Sequence, residues 1–90
     1  MVKGTTKSGF KYEVDKDQLT NVEFLEMFAK MQNGDGMVVF ELLEIVLGTE
    51  QKKKLYDHCR NKKGMVPVDA VTEEVTDIFT TLSEAQATKN

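Results

Sequence analysis

His58 and Cys59, the one histidine and the one cysteine of this sequence, stand side by side and have the chemistry of a base and a nucleophile. A thiol is activated when a base reaches it within hydrogen-bond distance. Adjacent side chains on a helix point about 100° apart, so the two do not face each other. The chain has no second histidine to take the role. The pattern predicts Cys59 on the core side beside Leu55 and His58 at the surface. One His and one Cys also fall short of the four spaced ligands of a zinc site. Asn33-Gly34-Asp35-Gly36 looks like the start of a calcium loop, but the twelve-residue ligand pattern with its closing Glu is missing. The chain has no phosphate-cradling glycine loop, no Gly-x-Ser-x-Gly and no His-Glu-x-x-His. The residue chemistry therefore predicts a binding domain, with no catalytic residue, cofactor or metal.

Charge offers one further lead. The net charge is -3, yet Lys52, Lys53, Lys54, Arg60, Lys62 and Lys63 stand together against Asp57 alone. The segments on either side are acidic. Phosphate contacts from this basic stretch are one reading. A basic stretch in an acidic chain with no base-reading helix is more simply a solvated or protein-docking face. The lone cysteine forbids an internal disulfide and suits a reducing cytosol. The N-terminus carries no apolar signal run. The longest apolar stretch, 37–47, is far short of the ~20 residues a membrane span needs.

The elements are organised by Gly36–Gly48, where only Glu41 and Glu44 are polar. A helix apolar nearly all round is a buried one. The expected fold is all-α: a small bundle of four helices, about 21–32, 36–47, 50–60 and 67–83, around that central helix, in one domain. An extended N-terminal arm carries a possible short strand over 9–14, where apolar and polar residues alternate. Residues 1–8 and 84–90 are expected to be mobile. Thr20 and Glu23 fit a capping box, with Leu19 and Phe24 as its hydrophobic staple. Asp35 is placed as the cap of the central helix, Gly48 as its left-handed end and Thr49 as the cap of the third helix. The core is expected from Phe24, Phe28, Val39, Phe40, Leu42, Leu43, Val46 and Leu47. Met27, Met31, Met37 and Met65 read as core filler, with a Met-rich groove for a partner helix as the alternative.

Several of these motifs together resemble a known family. An apolar helix ends at Leu47-Gly48, and a short helix ends at Asp57-His58-Cys59-Arg60. Gly64-Met65-Val66-Pro67 then opens the last helix, and Ser8–Asp15 matches upstream. Over about residues 5–80 the chain is similar to the tail assembly chaperones of long-tailed bacteriophages and prophages of Gram-positive bacteria. It departs from the family pattern at Lys62, Lys63 and Met65. The resemblance implies a non-catalytic protein of the host cytoplasm. Such a protein binds the long helical tape-measure protein, recruits major tail-tube subunits and is absent from the mature virion. It also implies a longer form made by ribosomal frameshifting, for which Thr88-Lys89-Asn90 could encode the slippery site. The competing readings are a small phage regulatory or DNA-associated protein using 52–63, and a structural tail or connector protein.

A chaperone must leave apolar surface open. Val71, Val75, Ile78 and Leu82 recur at helical spacing in the last helix, after Val68, and Phe10, Tyr12 and Val14 line the arm. Part of one set is expected to contact partners or other copies. Leu43→Asp places a carboxylate in the middle of the central helix, where no partner for it is in reach. That variant is expected to lose the cooperative unfolding transition followed by circular dichroism.

Overall fold

A computed structural model describes residues 1–87, with side-chain surroundings given through Leu82. The chain runs β1 (Val2–Thr5), β2 (Lys11–Val14), a 3-10 turn (Lys16–Thr20), α1 (Val22–Gln32), α2 (Val38–Cys59) and α3 (Val68–Ala87). The four-helix, all-α expectation is corrected: among the described residues there are three helices and a two-stranded antiparallel sheet. The spans expected as separate helices over 36–47 and 50–60 belong to one helical element, α2, bent at Gly48.

The strand partner is internal. Residues 1–8, expected to be mobile, supply β1, which pairs with β2 in the register Val2↔Val14 and Gly4↔Tyr12. Between the strands, Thr6 N–H donates to Phe10 O and Gly9 N–H to Thr6 O, both at 2.9 Å. This is a three-residue hairpin loop that needs a positive φ at its last position, and Gly9 supplies it at 96°. Val2-Lys3-Gly4-Thr5 carries little apolar alternation, so the sequence signal for β1 is weak. The Gly-containing turn was the readable clue.

The caps shift relative to expectation. Asn21, not Thr20, caps α1, its Oδ1 accepting the Glu23 N–H at 3.0 Å. Thr20 instead closes the 3-10 turn, its hydroxyl donating to Asp17 O. At the start of α2 the cap is Met37, without a side-chain bond. Asp35 contributes only its carbonyl, to the Val38 N–H. α3 continues through Ala87, past the expected end at 83. Residues 88–90, with the frameshift expectation attached to them, lie outside the described residues.

Phe24, Leu42, Leu43, Val46 and Leu47 are buried as expected, while Phe28, Val39 and Phe40 are half-buried against the core. The remaining core comes from Phe10, Tyr12 and Val14 of the hairpin, Leu19, Leu55, and Val71, Val75, Ile78, Phe79 and Leu82 of α3. Met37 and Met65 are exposed, against the core-filler reading.

At the bend Gly48 has φ 81° and ψ 165°, a region open essentially to glycine alone. Three residues on, the Gln51 carboxamide accepts the Glu13 N–H at 2.7 Å and donates to Glu13 O and Leu47 O, both at 2.8 Å. It thereby occupies both backbone groups of Glu13 and reaches the Leu47 carbonyl just before the bend. Gly48→Ala is expected to cost about 2 kcal/mol. The check is a lower urea midpoint with an unchanged slope.

Candidate functional site

The hairpin is docked by a polar cluster. Thr6 is buried; its hydroxyl donates to Glu74 Oε1 at 2.7 Å and accepts the Phe10 N–H at 3.1 Å. The Ser8 hydroxyl donates to Glu74 Oε2 at 2.8 Å. Each hydroxyl has one proton, so the 2.9 Å contact between Ser8 Oγ and His58 Nε2 has the imidazole N–H donating to Ser8. Lys7 N–H donates to Asp77 Oδ2 at 2.7 Å, and the His58 ring lies 5.6 Å from that of Phe10.

Ser, His and Glu are the residue types of a hydrolytic triad, but the arrangement differs from one. A triad histidine accepts the serine proton and is oriented by the carboxylate. Here the carboxylate holds the serine proton and the histidine is the donor. The cluster satisfies a buried carboxylate and fastens the hairpin to α3. Nothing in the sequence marks it, because Ser8 is separated from His58 and Glu74 by 50 and 66 positions.

Cys59 is partly buried against the core and His58 is exposed, as the sequence predicts. Burial, and secondly the Glu74 carboxylate, push the Cys59 thiol pKa up, away from the nucleophilic thiolate. Among the described residues no group of three or more His, Cys, Asp and Glu side chains is placed to hold a metal ion. Also among them, no helix is long and apolar enough to cross a membrane.

The basic stretch is partly neutralised. Lys52 Nζ lies 3.2 Å from Glu44 Oε1 and 5.6 Å from the centre of the Tyr56 ring. Glu44 also accepts the Thr49 hydroxyl. That bond first, and Lys52 second, hold the Glu44 carboxyl below its ordinary range. Arg60 pairs with Asp57 at 3.0 Å and donates to Gly64 O at 2.7 Å, closing the turn 60–64. Lys53, Lys54, Lys62 and Lys63 remain exposed.

The residues expected to meet partners are brought together, but inside the molecule. Phe10, Tyr12, Val14, Val71, Val75, Ile78 and Leu82 all belong to the one buried core, and of that helical series only Val68 is exposed. The central helix does not fill the core alone; the hairpin and α3 are needed to cover it.

Open apolar surface lies elsewhere. A groove of about 560 Å³ runs between α1 and α3 over the start of α2, lined by Phe28, Met31, Val39, Val75 and Phe79. Its aromatic floor is ordered. Phe28 stacks on Phe24 at 5.8 Å, and Phe79 meets both edge-on at 6.2 and 5.9 Å. Thr72, Thr76 and Thr80 form its α3 wall. Leu25, one turn before Phe28, is 48% exposed, and Met37, beside the lining Gly36, is 73% exposed. Apolar grooves of this kind receive apolar stripes of helices.

Comparison with known protein families, curated proteins and solved structures gives no match. The site therefore stands on its own geometry. Glu74→Ala strands the Thr6 and Ser8 hydroxyls and is expected to cost about 2 kcal/mol. Glu73→Ala, at an exposed neighbouring position, is expected to stay within about 0.5 kcal/mol of the parent. Paired urea titrations compare them.

Proposed function

We propose that the chain is a non-catalytic phage tail assembly chaperone that docks helical segments of the tape-measure protein in the groove between α1 and α3. The observation that carries this reading is that groove: an apolar channel with an aromatic floor. A long helical client offers an apolar stripe at i, i+3, i+4 and i+7 that matches such a channel. The residue pattern Leu47-Gly48, Asp57–Arg60 and Gly64–Pro67, similar to that family, supports the tape measure as the client.

In this reading the protein works in the cytoplasm of the bacterial host. It shields the tape measure, recruits tail-tube subunits and leaves before the virion is complete. The buried positions Val75 and Ile78 maintain the fold, and recognition falls to the groove walls.

Co-expression with a tape-measure protein tests the proposal. The two are expected to co-purify, and Thr80→Arg, on the exposed wall of the groove, is expected to abolish capture while leaving the circular dichroism spectrum unchanged. Recovery of the chain in purified virions by mass spectrometry would instead make it a structural tail protein.

A further inference from the structure

The groove has a second compartment, and the two share a wall. Thr72, Thr76 and Thr80 line the apolar groove on one side and a polar groove of about 810 Å³ on the other. Their spacing of four residues sets them in one row along α3. The row spans about 12 Å, roughly two helical turns. Threonine is short, so the row is a low ridge rather than a barrier.

The polar side is acidic. Among the described residues, Glu73, Glu74 and Asp77 line it against Lys7 alone. Glu74 is buried and its carboxylate is matched by two neutral hydroxyls, not by a cation. Asp77 uses one oxygen to accept the Lys7 N–H. Glu73 is exposed and makes no hydrogen bond or ion pair among the described residues. The cations of the stretch 52–63 line neither groove.

We propose that the two compartments form one docking surface whose occupant is an amphipathic helix with lysine or arginine along one flank of its apolar stripe. This rests on the reading of the apolar groove as a helix-docking site, and it adds the charge of the helix that fits. The stripe seats over Phe28, Val39 and Phe79. The flanking side chains lay their methylene stems across the threonine methyls and carry their charges to Glu73 and Asp77. A helix with the same stripe and an acidic flank meets like charge there and is rejected.

Two fluorescent peptides of about 18 residues, long enough to be helical, serve as probes. They share one leucine stripe and differ only in a Lys or a Glu flank. By anisotropy with the full chain at low salt, the Lys-flanked probe is expected to bind at least about tenfold more tightly. The preference is expected to collapse in about 0.5 M NaCl. Glu73→Lys, at an exposed position, is expected to remove most of the preference, and Thr76→Arg is expected to block both probes.

Equal binding of the two probes, failure of the Lys-flanked probe, or indifference to Glu73→Lys would overturn the proposal. So would a dimer, seen by sedimentation equilibrium, that excludes the Lys-flanked probe. The tail-assembly reading fails separately: a preserved Lys preference without tape-measure capture removes that reading alone. Capture with equal probe binding removes the charge assignment alone.

Discussion

The first half of α2 is the constraint on which the structure depends. Val38–Leu47 carries apolar side chains on nearly every face, with Glu41 and Glu44 as the only polar exceptions. Such a helix is stable only if neighbours cover it on several sides. α1 lies on one side through Phe24 and Phe28, and α3 on another through Val71, Val75, Ile78 and Phe79. The hairpin adds Phe10, Tyr12 and Val14. Leu42 and Leu43 are completely buried as a result. The edge-on contacts of Phe79 with Phe24 and Phe28 set how closely α1 and α3 approach, and the groove is the space that remains above them.

Polar contacts fix where the covering elements sit. The bend at Gly48 redirects the second half of α2 towards β2, where Gln51 takes both backbone groups of Glu13. Glu44 spans the same bend, reaching Thr49 and Lys52 beyond it. On the opposite side of the hairpin, Glu74 collects the hydroxyls of Thr6 and Ser8. Among the described residues no buried side-chain nitrogen or oxygen is left without a partner. Apolar burial supplies the driving force, and these few bonds supply the register.

Much of this was legible in the residues. The 3.6-residue apolar spacing marked α1, α3 and the buried character of α2, while Gly48, legible as a helix end, is a bend inside one helical element. Alternation marked β2. The errors have physical causes. β1 has a Lys, a Gly and a Thr among its four residues, so its pairing is set by the turn and by Tyr12 rather than by its own pattern. The capping residues were right in type and wrong by one position at α1, because Thr20 and Asn21 are both competent caps and the 3-10 turn claims the first. The α3 stripe expected at partners lies in the core instead, because helix spacing reports which face is apolar and not what covers it.

By itself the sequence determined the helical character of α1 and α3, the dominant buried helix, the surface position of His58 and the inward turn of Cys59. These follow from local periodicity and from charge, which are properties of neighbours along the chain. The tertiary structure alone decided the rest. It brought Ser8, His58 and Glu74 into contact, put the expected partner residues into the core, and opened a groove between α1 and α3 with an acidic compartment across a threonine ridge. Those features join residues tens of positions apart, and nothing in the chain encodes such a meeting except the packing that brings it about.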